Sequence, residues 1–181
     1  RDKGKFAYRA AASALSQTYP CLILLSDQQS TDNTFEEMER AVREAPRGNK
    51  THTVELLRCP VEGKYSMRSC NAHVWWLFER AKEHGAEWLF LCSADDYSLP
   101  SRVNACMIAT QEHACAAVGC TMYFEELGQN IMSIARDKRP TSGFPTKSGY
   151  VSPGDGLMRL AYGSTVQGFH RDFLDKVGDG K

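Results

Sequence analysis

The chain has 181 residues, with 22 basic and 22 acidic side chains and a formal charge of zero. That length suits one domain with a sizeable core, and the balanced charge leaves no footprint for nucleic acid or an anionic membrane. No apolar run approaches the roughly 20 residues that span a bilayer, and no signal peptide opens the sequence. The seven cysteines stand singly, at 21, 59, 70, 92, 106, 115 and 120, with no Cys-x-x-Cys pair. A reduced, cytoplasmic chain is therefore expected, rather than a disulfide framework or zinc knuckle.

Residues 6–17 set Ala7, Ala11, Ala14 and Leu15 on one helical face. Pro20 closes that segment, because the residue before a proline leaves the helical region. Residues 21–25, Cys-Leu-Ile-Leu-Leu, are apolar without alternation, as in a strand covered on both faces. The polar stretch 26–32 leads to a second helix, with Thr34 and Glu37 as a capping box. Phe35, Met38, Val42 and Ala45 form its buried stripe. Residues 46–50 read as a loop and 51–58 as a shorter strand. A third helix covers about residues 66–84, where Val74, Phe78 and Ala81 recur at helical spacing and Gly85 follows. Trp75, Trp76 and Phe78 are accordingly assigned to core rather than to a ligand platform.

Residues 88–92, Trp-Leu-Phe-Leu-Cys, form one buried strand that breaks at Ser93-Ala94 and delivers Asp95 and Asp96 side by side. Pro100 opens a fourth helix over 100–113, with Val103, Cys106 and Met107 inward. Ligands of open parallel sheets bind beyond the carboxyl ends of strands, so paired acids there point to a metal or sugar site. The plainer alternative is a solvated turn. Residues 115–124 and 130–135 read as strands, and the short turn 125–129 favours a hairpin. Residues 136–149 are basic and aperiodic, with Lys138, Arg139 and Lys147 on a loop long enough to be a candidate lid over a ligand. A short helix at 156–161, a strand at 164–169 and a helix at 172–177 complete the chain. Strand and helix alternate through the first ~115 residues, which predicts an α/β domain with a mostly parallel central sheet and helices on both faces.

Three stretches resemble one family. Gln17-Thr18-Tyr19-Pro20, the apolar strand, then Asp27 and Ser30-Thr31-Asp32-Asn33-Thr34 closely resemble the opening of family 2 glycosyltransferases. Arg68, with Asn71 three residues on, resembles their Arg-Asn element before the third helix. Residues 88–100 resemble the strand that carries their Asp-x-Asp-Asp, again followed by proline. Residues 168–178 look like their late strand and its helix. The resemblance covers most of residues 1–181 and implies a single Rossmann-like GT-A domain that binds a nucleotide-diphosphate sugar, with UDP-sugar first. The implied activity moves the sugar to a hydroxyl acceptor (glycan, lipid or small molecule) with inversion.

By the same resemblance, Asp27 accepts the N3–H of uracil, and Arg68 lies near the base or the diphosphate. Ser93 stands in place of the family's first acid and hydrogen-bonds a ribose hydroxyl. Asp95, with Asp96 beside it, binds Mn²⁺ or Mg²⁺. Gln28 and Gln29 replace the family's Asp-Gly, which leaves the nucleobase open. The family's first strand is expected to precede Arg1, and its C-terminal acceptor and base segment to follow Lys181. Glu125, Asp155 and Asp179 are bases by type only, so none is assigned; His170 is either a further metal ligand or structural. Two other functions fit the same residues. One is a nucleotidyltransferase, which would carry a Gly-rich basic phosphate loop. The other is a non-catalytic nucleotide-sugar binding module or an incomplete fragment.

Overall fold

A computed structural model describes residues 1–60, 66–112, 117–119 and 167–178. They form a mixed α/β chain in the order α1 (Gly4–Leu15), β1 (Leu22–Asp27), α2 (Thr34–Glu44), β2 (Thr53–Arg58), α3 (Met67–Glu83) and β3 (Trp88–Phe90). Then come α4 (Arg102–Glu112), β4 (Ala117–Gly119), β5 (Gln167–His170) and α5 (Arg171–Gly178). Among the described residues no helix is long and apolar enough to cross a membrane. The expected hairpin turn at 125–129, the basic loop and the helix at 156–161 lie outside the described residues.

β1 is the hub of the core. Ile23 and Leu25 join one cluster with Ala7, Ala11 and Leu15 of α1 and Met38 and Ala41 of α2. Ser26 points the other way, since successive strand residues face opposite sides. Its hydroxyl lies 2.7 Å from Nε2 of His73 on α3. Helices therefore cover both faces of β1, which is why residues 21–25 run apolar without alternation. Leu15 has no exposed surface. Leu15→Ala should cost about 2–5 kcal/mol, the range for a buried leucine that leaves a cavity. Phe6, 41% exposed on the same helix, should cost about 1 kcal/mol or less when cut to alanine. Urea unfolding midpoints of the two variants check the contrast.

Both ends of α3 follow local rules, and the start of α2 does not. Ser66 caps α3: its hydroxyl accepts from Ser69 N–H, and the Ser69 side chain answers on the Ser66 N–H. At the other end Gly85 adopts a positive φ of 75°. There Gly85 N–H donates to Lys82 O and Ala86 N–H to Ala81 O, closing the last turn. The exception is α2. Asn33 precedes it without a side-chain cap bond and Asp32 Oδ1 accepts the Thr34 N–H instead, so the expected Thr34–Glu37 box does not form. The Thr34 hydroxyl accepts instead from Lys3 N–H and donates to Asp32 Oδ1. A contact from a distant segment has displaced the local one.

The strands form two sheets among the described residues, not the one mostly parallel sheet expected. β1 and β2 are parallel, with Leu22 opposite Thr53 and Asp27 opposite Arg58. β3, β5 and β4 lie in that order, and both of their ladders are antiparallel. An apolar run of three or four residues marks a strand but carries no direction, so the pattern was silent on this point. Gly168 sits opposite Phe90, and a Cβ there would collide with the Phe90 ring. β3 stops at Phe90 rather than at 92. The carbonyl of Leu91 accepts from Arg102 Nη1 at 3.0 Å in place of a strand neighbour. Of the aromatic residues assigned to the core on α3, Phe78 is buried and meets Trp75 edge-on at 5.5 Å; Trp75 and Trp76 are half-buried.

Candidate functional site

Asp27 ends β1 and is only 1% exposed. Its carboxylate accepts the Ser30 N–H, at 3.0 Å to Oδ2, and pairs with Arg58 Nη1 at 3.7 Å. The parallel register sets Asp27 opposite Arg58 at the carboxyl ends of β1 and β2. The Arg58 guanidinium in turn lies over the Phe35 ring, 3.7 Å from its centroid. Gln28 is buried and donates to the Ser69 carbonyl at the start of α3. Gln29 turns the chain with a φ of 50°.

The next residues hold the amino end of α1. Ser30 Oγ accepts from Asp2 N–H, Asp2 Oδ1 accepts from Thr31 N–H, and Asp32 Oδ2 accepts from Gly4 N–H. A helix start has unpaired N–H groups, and here residues from the loop after β1 satisfy them. A Cβ at Gly4 would collide with the Asn33 side chain. The motif residues Ser30, Thr31, Asp32 and Thr34 thus serve as a socket for residues 2–4.

Residues 95–103 lie along α1, fastened at successive points. Lys3 Nζ contacts Asp95 Oδ2 at 2.7 Å. The Arg9 guanidinium stacks on Tyr97, 4.1 Å from the ring centroid. Ser98 N–H donates to Ser13 Oγ at 3.0 Å. Gln17, itself buried, donates from Nε2 to Leu99 O at 2.8 Å and accepts at Oε1 from Val103 N–H at 3.0 Å. Thr18 N–H donates to Pro100 O. Arg9 and Ser13 lie four residues apart on one face of α1, and Gln17 follows just past the helix end. Only the alanine face of α1 was read from the sequence.

The two acid-bearing strand ends are therefore neighbours through the first residues of the chain. Asp27 holds Ser30, Ser30 holds Asp2, and the adjoining Lys3 holds Asp95. The Lys3 ammonium, by hydrogen bond and charge, keeps the Asp95 carboxyl below the usual carboxylate range. Burial pushes the His73 imidazole below its ordinary value of 6.5, and the Asp27 charge opposes it. An imidazole depressed in the folded state takes up fewer protons than the unfolded chain does. Its contribution to stability is therefore complete above about pH 6.5 and is lost as pH falls through the lowered folded value. His73→Gln should flatten the acid limb of the stability profile, measured by urea unfolding between pH 7.5 and 5. Burial also pushes the Cys21 thiol up to about 11, in line with a cysteine acting as a small hydrophobe.

Of the residues singled out from the sequence, Asp27 and Asp95 are brought to one side. Asp96 follows directly, its N–H turned back onto the Ser93 carbonyl at 3.2 Å. Arg68 falls in the first turn of α3, and its side chain lies outside the described residues. His170 pairs with Trp88 across the β3–β5 ladder and packs edge-on against its ring at 5.4 Å. Glu125, Asp155 and Asp179 lie outside the described residues. Lys3 and Arg58 were not singled out, and both touch the acids at issue.

No group of three or more His, Cys, Asp or Glu side chains that could hold a metal occurs among the described residues. A hard dication shared with phosphate oxygens needs only one or two carboxylates. Asp95 and Asp96 are adjacent carboxylates, and the Lys3 ammonium occupies Asp95 Oδ2. No family model, curated protein or solved structure matches the chain.

Proposed function

We propose that the chain is a GT-A glycosyltransferase of the family 2 type, transferring a sugar from a nucleotide-diphosphate donor, UDP-sugar first, to a hydroxyl acceptor. One observation carries the reading. Two carboxylates, Asp27 and Asp95, follow the carboxyl ends of β1 and β3 and are linked through residues 2, 3 and 30. The carboxyl end of a parallel strand such as β1 is where open α/β sheets receive nucleotides.

In this reading Asp27 meets the base. Its carboxylate is 1% exposed, so the base reaches it when the turn at 28–30 opens; Ser30 and Arg58 then leave acceptor capacity for a base imide. Arg58, planar and fixed over Phe35, offers positive charge at the same rim, with Arg68 as its counterpart on α3. Ser93 takes a ribose hydroxyl. Asp95 and Asp96 hold Mn²⁺ or Mg²⁺ against the donor phosphates. A dication held there would supply charge stabilisation to the departing diphosphate. Lys3, already a cation on Asp95, must give way to it.

That last contact also favours a second reading, a nucleotide-sugar binding module without metal, in which Lys3 permanently serves as the counter-charge. Calorimetry with UDP, GDP and dTDP, with and without Mn²⁺, separates the two. Metal-dependent binding followed by release of nucleoside diphosphate from a sugar donor supports the enzyme. Binding indifferent to Mn²⁺, without release, supports the module. Release of pyrophosphate instead would identify a nucleotidyltransferase.

A further inference from the structure

The turn that encloses Asp27 carries strain, and the boundary between fixed and movable chain there is sharp. Cys59 N–H donates to Asp27 O at 2.8 Å, one step beyond the β1–β2 ladder, so β2 holds the backbone of Asp27. After it, residues 28–30 leave the ladder and fold back over the Asp27 side chain. Gln29 holds a φ of 50°, in the left-handed region that a residue with a Cβ enters at a cost. Its own side chain is exposed, so no packing offsets that cost.

A few polar contacts keep the turn down. Gln28 Nε2 donates to Ser69 O at 3.0 Å, a buried bond to the first turn of α3. Ser30 N–H donates to Asp27 Oδ2 at 3.0 Å, and Ser30 Oγ accepts from Asp2 N–H in an exposed bond that water can replace. What lies beneath favours release. Asp27 is 1% exposed, whereas the Arg58 guanidinium that faces it stands at 3.7 Å on a side chain 57% exposed. A carboxylate shut away from water beside so loose a counter-charge is costly to bury. Lifting the turn rehydrates that carboxylate and relaxes Gln29, and both gains offset the bonds that are lost.

We propose that residues 28–30 are a strained gate over Asp27, latched onto α3 by the Gln28 amide and opening as one unit to bare the carboxylate. Once bared, the carboxylate accepts a hydrogen bond from the N–H or O–H of a ligand. Such a ligand binds the open form alone and so holds the gate open. The gate stands on backbone geometry and burial; only its use by a nucleobase rests on the function proposed above.

Hydrogen exchange at the Ser30 amide reports the gate. Carbodiimide coupling of glycinamide to the Asp27 carboxyl, read by mass spectrometry, reports what the gate uncovers. Both are measured on the full chain without ligand. Gln29→Gly removes the strain and should slow both about fivefold. Gln29→Val, a residue averse to positive φ, should speed both about tenfold. Gln28→Met keeps the side-chain volume but loses the latch, and should act in the same direction. Rates at Ser30 and Asp27 that are equal in all four chains overturn the proposal. So does Ser30 exchange no faster than that of the β1–β2 ladder amides, which would leave only global unfolding. Exchange that responds while Asp27 labelling stays constant overturns it too, because the turn would then move without baring the acid. Titration with UDP is a separate arm. Affinity that rises for Gln29→Val and falls for Gln29→Gly supports a gate serving a nucleotide. Absent or unvarying UDP binding, with labelling that responds as expected, supports the gate and overturns its use by a nucleobase.

Discussion

Asp95→Ala should lower sugar transfer about 10²- to 10³-fold, the loss expected when about 3–4 kcal/mol of charge stabilisation at the leaving diphosphate is removed. The folded state should scarcely notice. The pair that Asp95 makes with Lys3 is well exposed, with side chains 39% and 43% accessible, and such pairs contribute about 0–1 kcal/mol. A variant that loses activity with its unfolding midpoint unchanged would set Asp95 apart from a merely structural acid. Lys3→Gln is the companion. Lys3 Nζ and a dication compete for the same Asp95 oxygens, so removing the ammonium should tighten Mn²⁺ binding, read by calorimetry. If Lys3→Gln leaves Mn²⁺ affinity unchanged while Asp95→Ala leaves turnover intact, the metal-assisted reading is wrong.

Gln17→Leu should produce the largest stability loss of any single polar replacement on α1, about 2–3 kcal/mol. The leucine fills the space but leaves Val103 N–H buried without its acceptor, while Leu99 O keeps only the Arg102 N–H. A buried donor left unpaired costs about 1–3 kcal/mol. The effect should reach the site as well, because Gln17 anchors the far end of the segment that begins at Asp95. Nucleotide affinity should fall severalfold, more than for Leu15→Ala at matched residual stability. Gln17→Glu keeps the acceptor for Val103 but sets a buried carboxylate oxygen against Leu99 O, so it should recover part of the loss only at a pH low enough to protonate it. Urea unfolding and nucleotide titration on the three variants check the order.

Much of the element order was legible because its causes are local. The 3.6-residue spacing in α1, α2 and α3 depends on neighbours within one or two turns. So does the Gly85 stop, which needs only a residue at ease with positive φ. The failed capping box at Thr34 shows where this ends. Its residues suit the motif, yet Lys3 N–H claims the hydroxyl from 31 positions away. Gln17 shows the same limit more strongly. It stood out as part of Gln-Thr-Tyr-Pro, but its partners Leu99 and Val103 lie 82 and 86 residues on. Spacing within α1 carries no trace of them.

Asp27 and Asp95 illustrate the division most clearly. Residue type and position alone placed an acid after each of two apolar strands, and that is a property of short segments. Whether such an acid meets solvent, a cation or an arginine depends on which other segments arrive beside it. Asp27 is enclosed because the β1–β2 register brings Arg58 opposite and the loop folds Ser30 N–H back onto it. Asp95 carries a lysine because the start of α1 is held in the socket after β1. These meetings are set by packing of surfaces far apart along the chain, where many pairings are close in energy until the whole core selects one.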